Sequence, residues 1–380
     1  MKKRIFLIHR WLGVTLGAII FLLGMSGAAV TFRPELMPKF YPSLFTVIPG
    51  EHLLSLETIL LDAARYLGPD KTMTNLYPGD GPEEAYIIQF NDPARSLPSI
   101  LTVDPYSGAV IGEMNLVSNI FAMMLFMHGN LFMGKVGSYF VGIMGIVVIF
   151  FIISGIYVWL PKSFSLLKLK MTFKFKKRFV QKIHHLLGLL FAAPLLISAL
   201  TGFFTVFDVP YYVSQFLKKS PPRVEELAHK FSVSFEDQLN SLSLITPAIR
   251  QNLISVHLSN TKNGFMKVSY GLRDNHFLYG YERIILDPRS KKIVQTFNSD
   301  KDPSSWNIKR MIIFPIHTGE YFGVFGRIIS FLSGIALMIS FCTGVTLFYR
   351  RRTRNKQRDL FSRNQPASVI TKGICKESEI

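Results

Sequence analysis

The chain has 380 residues, 49% of them hydrophobic, with 43 Lys and Arg against 25 Asp and Glu and a net charge of +18. In a soluble protein that charge would point to nucleic acid. Here it is confined to MKKRIFLIHR, PKSFSLLKLKMTFKFKKRFVQK and RRRTRNKQR, each beside an apolar stretch, so the expected partner is the lipid bilayer and not nucleic acid.

Taken in chain order, the first apolar stretch spans residues 11–32. It begins IHRWLGVTLGAII and is read as a retained membrane helix and not a cleaved leader. Residues 33–135 are of mixed polarity. LLSLETILLDAARYL has helical apolar spacing, and AYIIQFND and SILTVDPYSGAVIGEM read as short β runs, the last turning at Asp-Pro-x-x-Gly. A second membrane stretch covers 136–160 and a basic loop 161–185. A third covers 186–207. Residues 208–324 repeat the mixed pattern: VEELAHKF and FEDQLNSLS as helices, then LISVHLSN, FMKVSYGL and ERIILDPRSKKIVQTF as strands. A fourth membrane stretch covers 325–349, and a basic tail of low periodicity, expected to be disordered, covers 350–380. Each membrane stretch supplies the ~20 apolar residues that a ~30 Å hydrocarbon layer requires.

The chain repeats itself. At an offset of 175, His9, Gly13, Gly27 and Phe32 fall on His184, Gly188, Gly202 and Phe207. At an offset of 189, His128, Gly134, Gly137 and Gly155 fall on His317, Gly323, Gly326 and Gly344. The fold class expected is an α+β membrane protein: four transmembrane helices from two helix–domain–helix repeats, each domain a helix on an antiparallel sheet. With the basic segments on one side, residues 1–10, the middle loop and the tail face the cytoplasm, and the two large regions face outside.

The repeat also sorts the nine histidines. His52, His229, His257 and His276 are scattered in the external regions and read as ordinary histidines. His9 and His184 stand equivalently at the cytoplasmic starts of helices 1 and 3, and His128 and His317 ahead of the external starts of helices 2 and 4. Ionisable groups at a membrane are costly and mark sites. Two facing pairs of neutral imidazoles are what two bis-histidine b-type haems need, with the four histidines as axial ligands of the iron. His185 competes with His184, and the repeat alignment favours His184. Arg10 and Lys182 inside, and Lys135 and Arg327 outside, are the candidate partners of haem propionates. If His128 began one straight helix to Gly155 it would span near 40 Å at 1.5 Å per residue, so either the chain bends around Gly129–Gly137 or His128 sits on a short surface helix folding back over the bundle.

Other chemistry finds no motif. HExxH, P-loop, GxSxG, CxxC and dinucleotide patterns do not occur, and the cysteines, Cys342 and Cys375, lie outside the external regions. Electrons would then come from a membrane quinol or a cytoplasmic reductase.

IHRWLG and IHHLLG, the two H-x5-G-x2-G passages, and the elements TVDPYSGAVIGE and ILDPRSKKIVQTF resemble the PepSY-associated transmembrane family over nearly all of residues 1–350. The resemblance implies two periplasmic PepSY-like domains and an inner-membrane protein of bacterial iron uptake. It implies a ferric-siderophore reductase with two haems, whose periplasmic substrate releases its iron as Fe(II). The alternative is a membrane-anchored PepSY-domain binding or regulatory protein without redox activity. A transporter is disfavoured because no charged pathway runs through the helices.

Overall fold

The computed structural model describes residues 1–95, 98–115, 118–160, 179–209, 233–258, 264–274, 277–298 and 309–363. The expected helix at VEELAHKF, His229, His276 and most of the basic middle loop lie outside the described residues. In chain order the helices are α1 Lys2–Thr15, α2 Gly17–Thr31, α3 Arg33–Phe40, α4 Pro42–Phe45, α5 Leu56–Leu67, α6 Ile120–Asn130, α7 Gly134–Trp159, α8 Phe179–Leu190, α9 Ala192–Val206, α10 Phe235–Ser241, α11 Pro247–Gln251, α12 Phe314–Thr318 and α13 Gly323–Arg363. The strands are β1 Thr72–Tyr77, β2 Tyr86–Asn91, β3 Ser99–Val103, β4 Val110–Asn115, β5 Leu253–His257, β6 Met266–Asp274, β7 Phe277–Asp287 and β8 Lys292–Asn298.

Two unbent helices are long and apolar enough to cross a membrane, Gly134–Trp159 and Glu320–Gln357. Two further spans result if α1 with α2 and α8 with α9 each count as one, although these pairs bend by 62° and 58°. Apolar side chains stand exposed along α7 and α13, among them Val136, Ile143, Ile153, Phe325 and Leu332. In water such surface would cost roughly 25 cal/mol per Å²; against lipid it costs nothing. The expected disordered tail is corrected in part: α13 continues helical through Arg363, past the apolar run. Arg, Lys and Gln are good helix formers, so an established helix propagates through them. Residues 364–380 lie outside the described residues.

The chain divides into two compact units. One holds residues 1–25, 147–196 and 333–380; the other holds 26–146 and 197–332. In the second unit the two external regions do not make separate sheets. Their strands form a single antiparallel sheet of eight in the order β4-β3-β2-β1-β5-β6-β7-β8. The physical reason is the open edge. Each four-stranded half ends in a strand with unpaired N–H and C=O groups, and pairing them removes the liability. At the joint Asn75 faces His257 and Leu76 faces Val256, and the Leu258 N–H donates to the Thr74 carbonyl at 2.9 Å.

The joint sits on the repeat. The β1 ladder shifts register between Met73 and Asn75, the β5 ladder between Leu253 and Ser255, both offset by 180, as are the paired Leu76 and Val256. The turns match too. Asp104 Oδ1 accepts from the Tyr106 N–H at 2.8 Å, and Asp287 Oδ1 from the Arg289 N–H at 3.2 Å, each an Asx turn. Ser55 caps α5 by accepting from the Thr58 N–H, and Ser234 caps α10 by accepting from the Asp237 N–H, both at 3.0 Å. Such caps contribute about 1 kcal/mol each.

One hydrophobic core underlies the joined sheet. Ile59, Leu60 and Ala63 of α5 and Leu239 of α10 pack with Leu76, Ile88, Leu101, Val256, Val268 and Leu286 from the strands. The opposite face carries a smaller cluster, where Met37, Tyr41 and Leu44 of the α3–α4 segment cover Ile87, Ile100 and Met114.

Candidate redox site: two histidine pairs

The chain breaks between α6 and α7, as the length of a straight helix from His128 would require. α6 ends at Asn130, Leu131 and Phe132 take φ of 50° and 60°, and Gly134 takes 57° before α7 begins. His128 therefore sits on its own short helix, held at its start by Asn119, whose side chain accepts from the N–H groups of Phe121 and Ala122. The equivalent passage behaves alike. His317 lies on α12, and Gly319 and Gly323 turn the chain at φ 83° and 61° before α13. Positive φ favours glycine because a Cβ would crowd the carbonyl.

In the second unit the His128 and His317 rings lie 6.0 Å apart, centroid to centroid, tilted by 47°. In the first unit the His9 and His184 rings lie 6.4 Å apart at 84°. Both separations fit two imidazoles on one metal: two metal–nitrogen bonds of about 2 Å and two ring radii of about 1.1 Å place the centroids ~6.2 Å apart. The ring that faces His9 is His184, while His185 lies beside His184 at 6.3 Å.

Each histidine rests on a Ser/Thr-Gly step of a neighbouring helix. His9 stands over Ser154-Gly155, with Nδ1 2.7 Å from Ser154 Oγ. His184 stands over Thr343-Gly344, with Nδ1 3.0 Å from both Thr343 Oγ1 and the Ser340 carbonyl. His317 stands over Thr201-Gly202, with Nδ1 3.2 Å from Thr201 Oγ1 and 2.9 Å from the Ser198 carbonyl. His128 lies against Gly27, which follows Ser26. With Nδ1 engaged in three of the four, Nε2 is the nitrogen left for a metal. Among the described residues no group of three or more His, Cys, Asp or Glu gathers, so each pair offers two protein ligands. That donor set suits an iron whose four equatorial positions come from a porphyrin.

The basic residues divide. Arg10 follows His9, and its guanidinium lies 5.4–6.0 Å from the rings of Phe348, Trp11 and Phe6. Its Nε is buried with no hydrogen-bond partner among the described residues. A buried guanidinium N–H without an acceptor is costly, and a carboxylate brought by a ligand would satisfy it. Arg327, the expected propionate partner at the other pair, differs in being already paired. It is 4% exposed, its Nη2 donates to Glu35 at 2.7 Å and to the Thr31 carbonyl at 2.8 Å, and its Nη1 also donates to Glu35. It lies 4.7 Å over the Phe32 ring. The Arg327 guanidinium thus already holds a carboxylate, that of Glu35. Lys135 is exposed in the first turn of α7, and Lys182 is partly exposed on α8, one turn from His185.

Sequence reasoning missed Glu35 and two of the four Ser/Thr-Gly steps, Ser26-Gly27 and Thr201-Gly202. The steps had a legible signal: Ser26-Gly27, Ser154-Gly155, Thr201-Gly202 and Thr343-Gly344 occupy equivalent places in the repeat. Glu35 had none, because the pairing of Arg327 with it joins residues 292 positions apart.

Helices fit to span a bilayer, joined to a strand-rich region and carrying histidines at equivalent repeat positions, define the chain's type. The family profile for the PepSY-associated TM region matches residues 6–351. The chain belongs to that family. It is a membrane protein, and the match takes in both histidine pairs and the whole eight-stranded sheet. No curated protein matches the chain.

Proposed function

We propose that this member of the PepSY-associated TM region family is a two-haem reductase of the bacterial inner membrane that reduces a periplasmic ferric siderophore. The observation that carries the reading is the pair of histidine pairs, 6.4 Å and 6.0 Å across, each ring seated on a Ser/Thr-Gly step or its glycine. In this reading the four helical spans place both termini in the cytoplasm and the sheet in the periplasm.

His9 and His184 would hold one haem, His128 and His317 the other. A haem held by two imidazoles would supply a one-electron Fe(III)/Fe(II) couple. The protein's own residues do the rest. The Ser/Thr hydroxyls and helix carbonyls orient the imidazoles, and the glycines let ring and helix approach. Arg10 supplies the charge that meets a carboxylate, and the apolar helix surfaces exclude water. Each ferric ion takes one electron. A membrane quinol, losing two electrons and two protons, would serve two ferric chelates; a cytoplasmic reductase is the other class of donor. Reduction releases iron because Fe(II) binds hard oxygen ligands more weakly than Fe(III).

The test is pigment. Purified protein should show a b-type reduced-minus-oxidised spectrum with two haems per chain. His9→Ala and His184→Ala should each lose one haem, and His128→Ala and His317→Ala the other. Protein without b-type absorbance after haem supplementation would overturn the reading and leave the binding or regulatory module.

A further inference from the structure

Two of the four histidines report which nitrogen carries the proton. A carbonyl oxygen only accepts. The Ser340 carbonyl lies 3.0 Å from Nδ1 of His184, and the Ser198 carbonyl 2.9 Å from Nδ1 of His317, so both nitrogens must be N–H. The neighbouring hydroxyls are already committed as donors. Thr343 Oγ1 donates to the Ile339 carbonyl at 2.8 Å, and Thr201 Oγ1 to the Ile197 carbonyl at 2.7 Å, each one turn back on its own helix. Their lone pairs therefore face the imidazoles as acceptors. Ser154 Oγ donates to the Phe151 carbonyl at 3.3 Å and stands 2.7 Å from Nδ1 of His9. Among the described residues His9 has this one hydroxyl where His184 and His317 each have a hydroxyl and a carbonyl.

We propose that Ser154, Thr201 and Thr343 are positioning residues that hold His9, His317 and His184 with Nε2 bare toward the metal, and that Ser154, as a lone acceptor, has the largest influence on the potential of its haem. The inference rests on the two-haem reading above. An acceptor on Nδ1–H makes the imidazole a stronger donor through Nε2 and favours Fe(III) over Fe(II). Removing it weakens the ligand and raises the potential. Thr201 and Thr343 are backed by the carbonyls three residues before them, which no side-chain substitution removes.

The experiment uses the full chain in detergent, with haem quantitation, a redox titration and the EPR spectrum of the oxidised protein. Ser154→Ala is expected to shift the potential of one haem upward and to lower the affinity of the apoprotein for added haemin about 10–100-fold. Thr343→Val should move the same haem less, and Thr201→Val should move only the other haem. Ser154→Cys, with a weak sulfur acceptor, should fall between wild type and Ser154→Ala. Should a Val variant lose its haem altogether, restoration by Thr343→Ser or Thr201→Ser supports the proposal, and failure of Ser to restore it counts against. Variants that keep both haems with unchanged potentials and EPR spectra would overturn it. Wild type without haem would overturn the two-haem reading itself, a different outcome.

Discussion

The two histidine pairs come from one repeated plan, yet the protein packs them differently. At the His9/His184 pair a methyl added to Gly155 or Gly344 would meet the ring Cε1 at 3.5 Å, an ordinary contact. At the His128/His317 pair the same addition would stand 2.9 Å from Cε1 of His128 at Gly27, and 3.0 Å from Cε1 of His317 at Gly202. The charges differ in the same direction. Arg10 beside His9 keeps a buried Nε unsatisfied among the described residues, whereas Arg327 of the other unit is closed off by Glu35. One pair has slack and an open positive charge; the other is tight and internally neutralised. A repeat thus copies the histidines without copying their surroundings, and under the proposed function two haems so held would differ in potential through those surroundings.

The sharpest way to break this comparison is at the glycines. Gly27→Ala and Gly202→Ala should each displace a ring and cost the protein one haem, seen as half the pigment per chain. Gly155→Ala and Gly344→Ala should retain both. Equal losses at all four positions would erase the difference between the pairs. Next comes the neutralised arginine. Glu35→Gln leaves the Arg327 guanidinium buried without its counter-charge, which costs about 3 kcal/mol, read as a lower melting temperature in detergent. The same variant should leave the His9/His184 haem untouched, since Glu35 and that pair lie in different units. The smallest effect is expected at the sheet joint. His257 Nδ1 donates to Asn75 Oδ1 at 2.6 Å, and burial, then Lys267 and Arg283, hold its pKa below the ordinary value. The folded protein therefore binds fewer protons at this ring than the unfolded chain. Its contribution to stability is present above the unfolded pKa and fades as pH falls below it. Melting temperatures at pH 7.5 and about 5.5 should fall less on acidification in His257→Gln than in wild type. Equal falls would show that the joint does not sense protons.

Much of this was legible in the residues, for reasons that can be stated. Helix period marks α5, β-run patterning marks β2 to β8, and apolar length marks α7 and the apolar part of α13. These signals lie within a dozen or two neighbouring residues, where period 3.6 or period 2 leaves a pattern. β1 was not found. Thr72–Tyr77 is a short run whose third and fourth residues, Thr74 and Asn75, are polar, and it becomes a strand because β2 and β5 flank it on both sides. Propensity yields to pairing in such a segment. The two bends in the paired helices α1/α2 and α8/α9 were not found either, since apolar composition says nothing of direction.

By itself, the sequence determined the ligand candidates and their equivalence. A fixed spacing from each histidine to a glycine, met twice, is a covalent fact. It also determined that the chain belongs in a membrane, because apolar runs of that length have no other low-energy solvent. Only the tertiary structure decided that two external regions share one sheet, since an open edge finds whichever partner strand space provides. It alone decided that Arg327 belongs to Glu35 and that Arg10 keeps an Nε unsatisfied among the described residues. And it alone decided which proton His184 and His317 keep, because that depends on a carbonyl supplied by a helix more than a hundred residues away.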